Sequence, residues 1–67
     1  MRPLSTRHYI AFVTRREESA LIEIHEHSGN MRLGRMVESY ETSSRGAAAS
    51  ARKSMEALER ARHGSDR

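Results

Sequence analysis

The chain has 67 residues, of which 12 are Lys or Arg and 9 are Asp or Glu, giving a formal net charge of +3. This length permits one small domain and excludes a Rossmann fold, a TIM barrel and any two-domain enzyme. The chain has no Cys, which excludes disulfides and thiolate chemistry. Domains of about 60 residues are marginally stable without such cross-links, so a homodimer or an obligate complex is expected more than a robust monomer.

The sequence has no apolar run approaching the ~20 residues that a membrane-spanning helix needs. Residues 1–6 also lack the apolar core of a secretory signal peptide. We therefore expect a cytoplasmic protein that does not engage a membrane.

Charge is distributed unevenly along the chain. Residues 1–16 carry arginines and no acid, residues 17–41 are acidic, and residues 42–67 are again basic. The basic balance suggests affinity for nucleic acid or acidic proteins. Glutamates are nevertheless interleaved with the basic residues, a pattern typical of a solvated surface of mixed charge.

The first part of the chain predicts an arm followed by two strands. Residues 1–6 contain the only Pro and are expected to form a flexible N-terminal arm. Arg7–Thr14 is rich in aromatic and β-branched residues, which indicates a strand. Ala20–His27 alternates apolar and polar residues, which predicts a half-buried strand. Its solvent-facing side carries Glu23, His25 and His27.

The next stretch allows two interpretations. Ser28-Gly29-Asn30 suits a tight hairpin turn, after which a third antiparallel strand is expected. Met31–Thr42 fits that strand if Gly34-Arg35 forms a bulge, which brings Leu33 and Met36 to one face. The same stretch also has apolar residues at helical spacing. A two-stranded hairpin is rarely stable by itself in water, so we favour the strand.

The C-terminal part is predicted to form an amphipathic helix over Ser43–His63. Charged residues, Glu59 among them, fill its outer side, and its apolar stripe consists of Ala47, Ala48, Ala51, Met55 and Leu58. Candidate N-terminal caps are Thr42, Ser43 and Ser44.

The predicted fold is α+β, a small three-stranded antiparallel sheet with one C-terminal amphipathic helix packed on it. Its element order is β-β-β-α, and β-β-α-α is the alternative. The single domain covers residues 7–63, and residues 64–67 form a polar tail.

Three stretches resemble known families. The order of strand, Ser-Gly-Asn turn, strand and an Ala-rich helix opening with Ser44-Arg45-Gly46 resembles the C-terminal part of a double-stranded RNA-binding domain. The first helix of that family is missing and its Lys pair is reduced to one Arg, so its binding residues are not transferred. His8–Val13 is similar to the first strand of HicB-type antitoxins. A helical Met31–Tyr40 would be similar to ribbon-helix-helix repressors.

The sequence offers little that could carry catalysis. It has no Gly-Xaa-Ser-Xaa-Gly elbow and no Gly-rich phosphate loop, and a chain this short has little volume for a substrate pocket. We therefore expect no enzymatic activity and no cofactor. His25 and His27, at alternate strand positions with Glu23, suggest a metal site. No Cys or second His pair completes such a site, so no metal is expected.

The expected function is non-catalytic binding. We expect a stoichiometric inhibitor or regulator of a macromolecular partner, either a protein or a ribonucleoprotein complex. A phage-encoded anti-defence protein of the anti-CRISPR type is a particular case. Binding energy concentrates in a few residues of an interface, and the candidates are Arg32, Arg35, Tyr40, Arg45, Arg52, Lys53 and Glu56.

The alternative function is a small basic nucleic-acid-binding module, or a regulator similar to an antitoxin or repressor. Arginines bind phosphate groups through paired hydrogen bonds. For this function the candidate residues are Arg15, Arg16, Arg45, Arg52 and Lys53.

Overall fold

The computed structural model describes residues 3–28 and 32–64, which form an antiparallel sheet with a helix on one face. Its elements are β1 (Leu4–Ser5), β2 (Tyr9–Arg15), β3 (Ser19–His27), β4 (Leu33–Ser43) and α1 (Ala47–Gly64). The strands lie in chain order, β1-β2-β3-β4. The predicted α+β class with a C-terminal helix is confirmed, but the sheet has four strands rather than three. Gly29 and Asn30 of the predicted turn, and residues 65–67 of the predicted tail, lie outside the described residues.

The additional strand is β1, within the stretch that we expected to be an arm. Leu4 pairs with Ala11 and Ser5 with Ile10. Leu4 also packs against the core. Two residues are too few to show the alternation by which a strand is recognised in a sequence. The prediction of three strands is therefore wrong by one short edge strand.

The ambiguous stretch is the strand β4, so the β-β-α-α alternative is wrong. His25 and His27 of β3 are two positions apart, yet their partners Met36 and Leu33 are three positions apart. One extra residue in the Gly34-Arg35 segment accounts for this difference, which confirms the predicted bulge. Leu33 and Met36 consequently share one face of the sheet.

The helix begins later than predicted, because Ser43 still belongs to β4. The N–H of Ser50 donates to the Gly46 carbonyl at 2.9 Å and so opens the helix. Gly46 has a φ of 108°, a left-handed conformation that favours glycine. Gly46 is therefore the N-cap, and the predicted capping by Thr42, Ser43 or Ser44 is wrong.

The core lies between the sheet and the helix. Ile22 and Ile24 of β3 are completely buried, and the residues between them are partly exposed, so the predicted alternation is confirmed. The predicted helix stripe is confirmed as well, since its buried members are Ala47, Ala51 and Met55. In the described part of the chain, no helix is long and apolar enough to cross a membrane.

Candidate functional site

The face of the sheet turned away from the helix carries a group of large apolar side chains. Side chains alternate along a strand, so the neighbours of the buried Ile22 and Ile24 point away from the helix. The strand register brings the paired positions of β2 and β4 to that same side. We name this surface the open face and define it by Ile10, Phe12, Leu21, Leu33 and Met36.

The side chains of the open face differ in exposure. Ile10 is buried by its neighbours, whereas Leu33 is 54% exposed and Met36 is 48% exposed. Phe12 is partly exposed, and its ring meets the His25 ring edge-on with the ring centres 5.7 Å apart. No described element covers this face, because α1 packs on the other one. The apolar side chains of β4 are therefore accessible to another molecule.

Polar side chains lie between the apolar ones on the open face. Glu23, His25 and His27 occupy it, as predicted for the solvent-facing side of β3. His25 Nδ1 lies 3.1 Å from the Gly34 carbonyl oxygen, and both ring nitrogens of His27 also contact carbonyl oxygens. The His25 Nδ1 and both ring nitrogens of His27 are therefore engaged with backbone carbonyl oxygens. No group of three metal-binding side chains occurs among the described residues.

Both edges of the sheet are poorly suited to accept a further strand. β1 is two residues long and follows Pro3. β4 has two irregularities in its register with β3, and its regular part carries Glu38 and Glu41. Short edges, bulges and edge charges are the features by which sheets avoid pairing with other chains. The open face is therefore the better candidate for contact with a protein.

A second surface lies at the end of the sheet where β3 ends, β4 begins and the helix terminates. Two adjoining cavities of about 660 and 470 Å³ open there and share Arg7, His8 and Arg62 in their walls. Glu26, His27 and Arg32 help to line the larger cavity, and Glu56, Glu59, Arg60 and His63 complete the smaller one. We name this surface the cationic cleft and define it by its arginines Arg7, Arg32, Arg60 and Arg62.

Glu59 forms the most highly connected polar group of the cleft. Its carboxylate accepts hydrogen bonds from the Thr6 hydroxyl and the His8 backbone N–H, both at 2.7 Å, and lies 2.6 Å from His8 Nδ1. Burial pushes the pKa of Glu59 upward, but the hydrogen bonds from His8 and Thr6 outweigh it and hold the pKa at about 2. The prediction that Glu59 lies on the solvated side of the helix is wrong, because its carboxylate contacts Thr6 and His8. Glu59 joins the helix to the β1–β2 connection.

The two hydrogen-bond partners of His27 favour its protonated form. Its Nδ1 lies 2.8 Å from the Ser28 carbonyl oxygen, and its Nε2 lies 2.8 Å from the Thr6 carbonyl oxygen. A carbonyl oxygen can only accept, so both ring nitrogens must carry a proton to satisfy this geometry. The hydrogen bonds to Ser28 and Thr6 accordingly raise the pKa of His27 above its ordinary value.

Two of the three carboxylates that line the cleft, Glu26 and Glu59, are already paired, whereas the exposed Glu56 makes no ion pair among the described residues. Glu26 lies 3.7 Å from the Arg35 guanidinium and 3.9 Å from that of Arg62. Glu59 is engaged by the donors described above. Within residues 3–28 and 32–64, the side chains of three arginines of the cleft make no ion pair or hydrogen bond: Arg7, Arg32 and Arg60.

The structure separates the partner-binding candidates that the sequence suggested. Arg32 and Arg35 lie beside the cationic cleft. Tyr40 faces the helix, where its hydroxyl lies 3.0 Å from Ser50 Oγ and 2.7 Å from Ser54 Oγ. Tyr40 therefore serves the packing of sheet on helix and belongs to neither surface. Glu56 lines the smaller cavity of the cleft. Exposed positions outside the cleft, on the helix and its N-terminal turn, are held by Arg45, Arg52 and Lys53.

The nucleic-acid candidates do not gather at the cleft. Arg15 and Arg45 lie at the opposite end of the sheet, where Arg15 donates to the Ser44 carbonyl. Arg16 lies at the same end, 4.0 Å from the carboxylate of Glu41. The sequence analysis missed the convergence of Arg7, Arg60 and Arg62. The only sequence signal was the presence of a basic segment near each end of the chain.

No family model, no curated protein and no solved structure matches this chain at a significant level. The resemblances to double-stranded RNA-binding domains, HicB-type antitoxins and ribbon-helix-helix repressors receive no support from these comparisons. The functional argument therefore rests on the open face and the cationic cleft.

Proposed function

We propose that this chain is a non-catalytic binding protein that regulates a protein partner stoichiometrically, and that the open face is its docking surface. The observation that carries the proposal is the pair Leu33 and Met36, each about half exposed on a face that no described element covers. Contiguous apolar side chains on an exposed face mark protein interaction sites.

The surface area of the chain supports an uncovered interface. A compact monomer of 7.6 kDa exposes about 4,300 Å² by size scaling, whereas this chain exposes 5085 Å². The chain therefore exposes more surface than a typical monomer of its mass. An open two-layer arrangement of 42 × 23 × 15 Å accounts for it.

The charges around the open face indicate the chemistry of the partner. Glu23 lies near the middle of the face, Glu41 toward one end, and His27, whose pKa is raised by its carbonyl partners, at the other end. A fitting partner surface presents an apolar patch with a basic group at one end and an acidic group at the other. Covering the exposed halves of Leu33 and Met36 contributes about 1 kcal/mol for each side chain.

The test compares the tagged wild type with Met36→Glu and with Ala57→Glu as a matched control. Both substitutions add one negative charge, but Ala57 is exposed on the helix, away from the open face. Each protein is used to capture partners from nuclease-treated bacterial lysate, and the captured complex is sized by light scattering. We expect the wild type and A57E to retain one protein at 1:1 stoichiometry and M36E to lose it.

Two outcomes would contradict the proposal. A partner that M36E captures as well as the wild type removes the open face from the binding surface. A wild-type homodimer that M36E dissociates, with no other protein bound, assigns the face to self-assembly.

An inhibitor of the anti-CRISPR type is the particular case of this proposal. It predicts that expression of the wild type, but not of M36E, restores phage growth in a bacterial strain protected by its CRISPR system. Equal phage growth with M36E and the wild type would rule out the open face as the inhibitory surface.

A further inference from the structure

We infer that the cationic cleft binds the phosphate backbone of a nucleic-acid duplex without reading its sequence. The inference rests on the unpaired side chains of Arg7, Arg32 and Arg60 and not on the open face, which adjoins the cleft at His27 and Leu33. It places the nucleic-acid contact at residues other than the basic positions that the sequence suggested.

The charge balance of the cleft favours an anion. Of the three carboxylates that line it, Glu26 and Glu59 are compensated by donors of the protein itself, and only the exposed Glu56 is left against three unpaired arginine side chains. The wall also favours the protonated form of His27, because both of its ring nitrogens lie 2.8 Å from carbonyl oxygens. An incoming phosphate therefore meets arginines whose charge the protein does not neutralise.

The arginines are arranged along the cleft rather than around one point. Arg32 lines only the larger cavity and Arg60 only the smaller one, whereas Arg7 and Arg62 lie in the wall between them. The order along the cleft is thus Arg32, then Arg7 with Arg62, then Arg60. A row of guanidinium groups matches successive phosphates of a polymer better than a single small anion.

The lining of the cleft also indicates which part of the nucleic acid it contacts. Proteins that bind single strands stack the bases on aromatic side chains. Within the described residues no Phe or Tyr lines either cavity, and the rings of His8 and His27 in the lining are held by hydrogen bonds to Glu59 and to backbone carbonyls. Guanidinium groups bind phosphate oxygens through paired hydrogen bonds. A duplex, whose bases are stacked inside and whose phosphates are exposed, fits this lining.

The test measures binding of a fluorescein-labelled DNA duplex of mixed sequence by anisotropy at several chloride concentrations. The cleft variant is the double substitution Arg7→Gln and Arg60→Gln. The matched control is Arg45→Gln and Arg52→Gln, which removes the same charge from exposed arginines outside the cleft. Circular dichroism melting verifies that both variants remain folded.

We expect the cleft variant to bind at least tenfold more weakly than the wild type at low salt and the control to remain within about twofold. The slope of log affinity against log salt should fall by about 2 in the cleft variant, since each lost phosphate contact removes about 0.9 from it. M36E should bind the duplex like the wild type, which separates this inference from the proposed function.

Three results would overturn the inference. Equal losses in the cleft variant and the control would show binding through net charge. If polyglutamate of the same charge competes as effectively as unlabelled duplex, the cleft is assigned to acidic proteins. The absence of measurable wild-type binding at low salt would exclude a duplex site.

Discussion

Replacement of Glu59 by Gln tests the link between the helix and the β1–β2 connection. The pKa of Glu59 is about 2, against an ordinary value of 4.5, and this difference corresponds to about 3 kcal/mol at most. The Glu59 side chain is 23% exposed, so solvent screening reduces the contribution to about 1–2 kcal/mol. For a domain of this size such a loss lowers the midpoint of thermal unfolding by roughly 5–15 °C.

The pH dependence of the stability loss in this variant is a more specific test than the magnitude of the loss. A pKa that is lowered on folding stabilises the protein above pH 4.5, and the contribution is lost as the pH falls toward 2. Urea unfolding followed by circular dichroism should therefore separate E59Q from the wild type at pH 7 and bring them together near pH 2. Glu56→Gln, an exposed carboxylate on the same helix, is the control and should change little at either pH. A loss in E59Q that is equal at pH 7 and pH 2.5 would refute the reasoning.

Three further substitutions test other parts of the structure. His27→Gln should lower stability more at pH 5.5 than at pH 8. A pKa raised on folding stabilises the protein below the ordinary value of 6.5, and this stabilisation disappears above the folded pKa. Equal losses at the two pH values in urea unfolding would contradict a raised pKa of His27. Gly46→Ala should cost about 1–2 kcal/mol because φ is 108°, whereas Gly64→Ala, measured in the same thermal scan, should be nearly neutral. Ile24→Ala should cost about 2–4 kcal/mol by removal of a buried side chain, and Met36→Ala less than 1 kcal/mol; the reverse order would mean that the open face is covered.

The ambiguity of residues 31–42 in the sequence has a structural cause. Leu33, Met36, Val37 and Tyr40 are spaced as on one face of a helix. In the structure, Leu33 and Met36 point to the open face, whereas Val37 and Tyr40 pack toward the helix. Two irregularities in the pairing of β3 with β4 allow this division. A helical spacing in sequence is thus produced by a strand that has two bulges and two apolar faces.

The reliable predictions were those carried by a repeated pattern. β3 and the helix have long, regular alternations of apolar and polar residues, and both were predicted with their buried faces. β1 has only two residues and therefore shows no alternation of apolar and polar side chains. The cap at Gly46 depends on its backbone angle φ, whereas the neighbouring Thr42, Ser43 and Ser44 are residue types that commonly cap helices. Local patterns identify elements, but they do not define the turn geometry that joins them.

The position of the cationic cleft could not be predicted from the sequence, because it depends on how the strands and the helix are connected in space. Each strand of the meander reverses direction, so β2 begins at the end of the sheet where β3 finishes and β4 starts. The helix then runs back across the sheet and ends beside the start of β2, as the bonds of Glu59 to Thr6 and His8 show. This return brings Arg7 and Arg60, from opposite ends of the chain, into one cleft. A basic surface built in this way depends on topology, so reversal of the charge of either arginine should affect the same binding event.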